Sequence, residues 1–310
     1  MQGKDASRRN QSNHENDSGR QGSGQACERS AVRFISVALA IVLSGFLLLL
    51  GYRSVEAETE DRQWDVVVIG DSIIGKERED GTVDGYFEEY SGMTMLNGAF
   101  GGNCASVGEH ADRYSYNEES LSLKSLTEAL CYRDFGVQRA DLAASQVKRE
   151  YFDSVMEQLS GVDLRQTEIL LLAFGTNDYM VGKQLDNQED PLDVTTYGGV
   201  LRYAVEMLKE TYPDLEIVLV TPPFFHINGR ENCFEEDFGG GTLDQYAELE
   251  KEIAAEYGVY VIDALNDLGF DETNFEEYTE DSLHLNKAGR QMYARFLAEE
   301  IQELTERKSE

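Results

Sequence analysis

Apolar positions recur along this chain with two different periods. Residues 65–69 read Asp-Val-Val-Val-Ile, a β-branched run closed by Gly70. Similar runs fill 93–97, 168–174, 215–220 and 259–262, and Thr221-Pro222-Pro223 ends the run at 215–220. Short apolar runs bounded by turn residues suit strands buried on both faces of a parallel sheet. Between them the period lengthens. Residues 195–212 place Val200, Tyr203, Ala204, Met207 and Leu208 at helical spacing, and 243–257 and 287–304 follow the same rule. This alternation predicts an α/β fold, a parallel sheet with helices on both faces. Residues 103–166 form a long connection holding Leu121-Ser122-Leu123-Lys124-Ser125-Leu126 and a helical stretch at 147–159. Long structureless loops are uncommon in compact domains, so this reads as a helical insertion. Residues 224–241, with Gly239-Gly240-Gly241, read as a polar, flexible loop. His226 within it is either a substrate contact or a loop histidine without a role.

One apolar run stands outside the pattern. Residues 34–52 are 19 positions without a charge. At about 1.5 Å per residue, they nearly cross a hydrocarbon core of about 30 Å. Arg20, Arg29 and Arg33 precede this run, and Glu56, Glu58, Glu60 and Asp61 follow Arg53 beyond it. The asymmetry predicts a single-pass signal anchor at the cell membrane, with the N-terminus cytoplasmic and the large domain extracellular. The alternative is a secreted form cleaved near Ala57, where Val55-Glu56-Ala57 offers small residues. The apolar run is longer than an ordinary signal-peptide core, which favours the anchor. Residues 1–33, rich in Gln, Asn, Ser and Gly, carry too little apolar surface to offset ordering and are expected to form a disordered cytoplasmic tail. Residues 53–64 are then a linker, and 65–310 the folded domain.

Charge narrows the partners. Taking the 7 basic and 5 acidic residues of positions 1–57 from the totals of 27 and 59 leaves a net charge of −34 outside. Such a domain repels nucleic acid and bare polyanions. The charge favours a neutral or cationic substrate, or simply solubility. Of the four cysteines, Cys27 precedes the apolar run. Cys104, Cys131 and Cys233 lie beyond it, so at least one is unpaired or bonds between chains, and the spacing does not settle any pairing. The outer domain is long enough for one sizeable core without disulfides. His14, His110, His226 and His284 form no ligand-spaced cluster with the cysteines, so no metal or other cofactor is expected.

Four short segments carry candidate chemistry. Gly70-Asp71-Ser72 follows the first run, which puts Ser72 at the carboxyl end of a strand, where open α/β sheets bind ligands. Taken alone, Gly-Asp-Ser reads first as an ordinary helix N-cap at Ser72. The segment lacks the second glycine of a dinucleotide loop. Asn97-Gly98-Ala99-Phe100-Gly101-Gly102 follows the second run, and its small residues let a backbone N–H face a substrate oxygen. Gly175-Thr176-Asn177-Asp178 follows the third, where Asn177 offers a side-chain amide to an oxyanion or an Asx bond to a turn. Asp281 and His284 are three apart and face the same way if that stretch is a helical turn.

Together the segments resemble the SGNH/GDSL hydrolases, a family marked by Ser, Gly, Asn and His blocks. Here those residues are Ser72, Gly102, Asn177 and His284. The resemblance runs from about residue 65 to the C-terminus, and Gly-Thr-Asn-Asp and Asp-x-x-His-Leu-Asn are its most specific parts. Gly-Asp-Ser-Ile replaces the family's Gly-Asp-Ser-Leu, and the interval from Gly102 to Asn177 is long. The resemblance implies a three-layer α/β/α fold with a flavodoxin-like, five-stranded parallel sheet. It also implies a metal-free serine esterase acting on acyl esters, often acetyl esters of a glycan. Ser72 is then the nucleophile, His284 the base and Asp281 its orienting carboxylate. The Ser72 and Gly102 N–H groups and the Asn177 amide form the oxyanion hole. An acyltransferase using the same Ser72 acyl-enzyme is an alternative. A non-catalytic glycan-binding ectodomain is another, although such a module needs no intact Ser72, Asn177, Asp281 and His284. Oligomeric state is not legible.

Overall fold

The computed structural model describes residues 64–108, 118–145, 148–227 and 229–309. The expected tail, the apolar run 34–52 and all of the linker but Trp64 lie outside the described residues. Among the described residues, no helix is long and apolar enough to cross a membrane.

The strands are β1 (Val66–Gly70), β2 (Met95–Asn97), β3 (Ile169–Ala173), β4 (Glu216–Val220) and β5 (Tyr260–Ile262). They form one sheet in the order β2-β1-β3-β4-β5, and every neighbouring pair is parallel. This is the flavodoxin-like order, which reverses direction between β1 and β3. All five residues of β1 and of β3 are buried, as their unbroken apolar sequences predict. The register places Val68 beside Asn97 and Gly70 beside Ala173, so the ends of the three strands that carry candidate residues lie together.

The helices in chain order are α1 (Ser72–Gly75), α2 (Val83–Ser91), α3 (Leu123–Tyr132), α4 (Gly136–Ala144), α5 (Phe152–Ser160) and α6 (Thr176–Met180). There follow α7 (Tyr197–Thr211), α8 (Leu243–Tyr257), α9 (Ala264–Asp267), α10 (Phe275–Tyr278) and α11 (Lys287–Ser309). Helices α2 and α11 pack together as one layer, while α3, α7 and α8 pack as a second. The long connection is a helical insertion: a 3₁₀ turn at Glu118–Leu121 leads into α3, α4 and α5. Ser122 caps α3 by accepting from the Ser125 N–H, and Leu123, Leu126 and Leu130 form its buried face.

Residues 224–241 depart from the expected polar loop. Phe224, Phe225 and Cys233 are buried there. Tyr179 packs edge-on against Phe225 and Phe238, and its hydroxyl donates to the Glu236 carbonyl. A few large aromatic side chains anchor the segment more strongly than its average polarity suggests. Cys131 and Cys233 form no disulfide among the described residues.

Candidate active site

Site residues collect at the carboxyl ends of β1, β2 and β3. Asp71, not Ser72, caps α1: its Oδ1 accepts from the Ile73 N–H at 2.9 Å. Ser72 is therefore the first helical residue, and its hydroxyl is left for another partner. That partner is His284, whose Nε2 lies 3.0 Å from Ser72 Oγ across 212 positions of sequence. His284 Nδ1 lies 2.7 Å from Asp281 Oδ2, so Nδ1 carries the proton, Nε2 accepts, and the serine hydroxyl donates.

The Asp281–His284 stretch is not a helical turn, as its spacing had suggested. It is a bend closed by the Thr279–Leu285 bridge, with Ser282 at φ 69°. Asp281 still reaches back to His284, because its Oδ1 accepts the backbone N–H groups of Leu283 and His284 at 3.3 and 2.7 Å. Asn286 braces the bend by donating to the Glu277 and Thr279 carbonyls. Arg290 on α11 donates to the carbonyls of Leu285 and Gly81, tying the histidine loop to the segment after α1.

Electrostatics divide the site. Half-burial holds the His284 pKa below its ordinary value, aided by the charge of Lys76 and opposed by Asp281. Partial burial pushes the Asp281 carboxyl up, but the backbone N–H and imidazole of His284 and the Lys76 ammonium outweigh it and hold Asp281 well below the usual carboxylate range. Lys76 lies 3.3 Å from Asp281 Oδ2 and also pairs with Glu280. Burial pushes the Asp71 carboxyl up to about 7, against bonds from Ile73, Thr176 and Asn177. Asp178 is likewise raised by complete burial, although it accepts from the Ala105 N–H, the Ser106 N–H and the Ser106 hydroxyl at 2.6–3.0 Å.

The remaining candidates surround Ser72. Gly102 lies in the loop after β2 with φ 85°, a backbone region that favours glycine. Neither the Ser72 nor the Gly102 N–H has an acceptor among the described residues. Asn177 sits in the first turn of α6, and its Nδ2 donates to the Asn103 carbonyl at 3.0 Å and to Asp71 Oδ2 at 3.3 Å. Gly175, at φ 119°, starts that helix; a Cβ there would come within 2.5 Å of the Tyr197 hydroxyl. His226 accepts from or donates to nothing at this site; its Nε2 lies 2.9 Å from the Arg230 carbonyl. Among the described residues, no group of three or more His, Cys, Asp or Glu is placed to hold a metal ion.

The sequence model of the GDSL-like Lipase/Acylhydrolase family matches residues 68–292, most of the chain and all four blocks. The chain belongs to this family. It is a serine hydrolase of the GDSL type, and its sheet and helices are those of the family fold. No curated protein matches it in sequence. One solved structure is similar with a TM-score of 0.56 at 19% identity, covering 78% of this chain and 98% of that one. A Lactobacillus plantarum protein is similar with a TM-score of 0.53 at 18% identity, covering 78% and 98% of the two chains. A carbohydrate acetylesterase from Sinorhizobium meliloti, Est24, aligns with a TM-score of 0.46 at 15% identity over 77% and 98%. At these identities the likeness to the first two structures is one of fold.

Sequence reasoning missed four members of this GDSL-type site. Asp178 lay inside a quoted motif but read as a turn residue. Lys76 is four positions after Ser72, a spacing that gave no hint of Asp281. Arg78 fastens the loop after β2 by donating from Nε to the Gly75 carbonyl at 2.8 Å, from Nη1 to the Asn97 carbonyl at 2.7 Å, and from Nη2 to Ala99. Tyr151, from the insertion, accepts the Gly101 N–H at 3.1 Å and lies under the Arg78 guanidinium.

Proposed function

We propose that the chain hydrolyses acyl esters through an acyl-enzyme on Ser72. The observation that carries this reading is the continuous hydrogen-bonded path from Ser72 Oγ through His284 to Asp281. Ser72 Oγ attacks the ester carbonyl as its proton passes to His284 Nε2, and Asp281 stabilises the imidazolium without taking the proton. The oxyanion is held by the Ser72 and Gly102 N–H groups and by Asn177 Nδ2, which shares its longer bond, the one to Asp71. Each such donor contributes about 2.7–4 kcal/mol to the transition state. Collapse of the intermediate breaks the ester C–O bond, and His284 returns the proton to the leaving alcohol. Water, deprotonated by the same imidazole, then attacks the acyl-serine; the Ser72 Oγ–acyl bond breaks, His284 returns its proton to Ser72 Oγ, and the acid is released.

The substrate is an acetyl or similarly short acyl ester on a carbohydrate or cell-envelope glycan. Family membership and the exposure of the Asp281 side chain support this reading. Residues 34–52 anchor the enzyme in the cell membrane with its catalytic domain outside, which the arginine bias before that run supports. Full-length protein should resist carbonate extraction from membranes, whereas a soluble form beginning at Glu58 would replace the anchor with a cleaved signal. The test of the chemistry is Ser72→Ala with p-nitrophenyl acetate and acetylated sugars. Hydrolysis should vanish while circular dichroism is retained, and a fluorophosphonate should label Ser72 alone. Labelling of another serine overturns the assignment.

A further inference from the structure

The insertion brings a second arginine to the nucleophile. A Cβ built on Gly101 would lie 3.3 Å from Ser72 Cβ, 3.0 Å from the Tyr151 hydroxyl and 3.4 Å from Arg149 Nε. Arg149 Nε and Ser72 Cβ thus flank the same point of the loop that carries Gly102, at most the sum of those two distances apart. Its neighbour Arg78 is committed to the three carbonyls of Gly75, Asn97 and Ala99. The half-buried Arg149 has no ion pair and no side-chain hydrogen bond among the described residues.

That freedom is unusual in this protein. Among the described residues, the other lysines and arginines pair with carboxylates, donate to carbonyls or lie over rings, apart from the exposed Lys287. Even Lys148, next in sequence, pairs with Asp153. In a chain with 59 acidic and 27 basic residues, leaving a cation unpartnered beside the nucleophile needs a reason. A guanidinium presents a planar fork that matches an oxyanion bidentately, and partial burial strengthens the attraction. One guanidinium balances one charge, which fits a carboxylate better than a dianionic phosphate.

Building on the ester-hydrolase reading above, we propose that Arg149 selects esters that carry a carboxylate near the scissile bond. The acidic surface then sets a general barrier to anions, and Arg149 provides the local exception at the reacting centre. A carboxylate on the alcohol side corresponds to an acetylated acidic sugar; one on the acyl side corresponds to a dicarboxylic half-ester.

The experiment compares kcat/KM for matched pairs. On the alcohol side the pair is 3-acetoxybenzoate and 3-acetoxybenzamide; on the acyl side it is p-nitrophenyl hemiglutarate and p-nitrophenyl valerate. In at least one pair, the native protein should favour the carboxylate by tenfold or more, and added salt should reduce the preference. Arg149→Gln should remove most of that ratio, Arg149→Lys should retain part of it, and Arg149→Glu should invert it. An unchanged ratio in Arg149→Gln, or equal loss on both members of each pair, overturns the inference alone. Native protein that cleaves the neutral members as fast as the anionic ones does so too. Failure to cleave any of the four esters overturns the ester reading and this inference with it.

Discussion

The two sides of the candidate active site hold carboxyl groups in opposite states. On the sheet side, Asp71 and Asp178 are almost completely buried, and burial raises both. On the rim, the Asp281 side chain is 46% exposed, yet the His284 N–H and imidazole and the Lys76 ammonium depress it. The same side chain is a structural clamp in one place and a charged orienter in the other. Environment decides which, because complete burial penalises the anion even where Lys183 acts on Asp178, whereas a charge partner in a partly wet setting favours it.

The largest break in this comparison falls on the rim. His284→Ala should lower kcat by roughly 10⁴–10⁶-fold, since nucleophile and base act as a unit. Asp281→Asn should cost less or comparably, by disturbing the tautomer. If His284→Ala keeps near-native rates against an acetyl ester, the base has been misassigned; if Asp281→Asn does, the orienting carboxylate has.

On the sheet side the expected loss is one of stability. Asp178→Ala leaves the Ala105 and Ser106 N–H groups and the Ser106 hydroxyl without their acceptor. Stranding buried donors should cost roughly 2–5 kcal/mol, read by urea denaturation, and activity should fall as the loop after β2 loosens. An Asp178→Ala protein with native stability and a low kcat would instead make Asp178 a direct participant in the chemistry.

A smaller effect separates the sides by pH. A carboxyl raised to about 7 in the folded state binds a proton that the unfolded chain has already lost. The Asp71 contribution is therefore fully present below its ordinary pKa of 3.8, and stability declines as pH rises through 7. Asp71→Asn should flatten the stability profile between pH 4 and about 7.5 relative to the native protein. Parallel profiles for the two proteins would show that Asp71 is already ionised in the fold.

The smallest effect tests Lys76. Its charge helps keep the His284 pKa low, so the imidazole that would act as base stays neutral to lower pH. Lys76→Met should move the acid limb of kcat/KM slightly upward, while changing the plateau by less than about threefold, as expected for exposed pairs. A shift in the opposite direction would mean that losing the restraint on Glu280 and Asp281 outweighs losing the Lys76 charge.

Much of this was legible in the chain because the relevant signals are local. The five strands follow their apolar runs to within about two residues at each end, and α8 begins and ends where its periodicity does. Ser72, Asn177, Asp281 and His284 stood out because each sits in a short block next to a strand end or helix start. Other features depend on long-range contact. The Asp281–His284 spacing suggested a helical turn, but the Thr279–Leu285 bridge and the Asn286 bonds made it a bend. The anchoring of 224–241 was hidden because average polarity says nothing about where Phe225 and Phe238 find Tyr179.

Sequence by itself determined the strand and helix periods, the family blocks, the acidic balance and the identity of the groups able to do acyl chemistry. These follow from side-chain type and spacing within a few residues, the range over which hydrophobic period and capping act. Tertiary structure alone decided that Asp71 rather than Ser72 caps α1, freeing the serine for His284. It also turned Asp178 into the clamp of the loop after β2, set Lys76 against Asp281 and brought Arg149 from the insertion to the Gly101 loop that Ser72 also touches. Those outcomes depend on burial and on partners many positions away, and neither desolvation nor a charge–charge distance exists until the chain has folded.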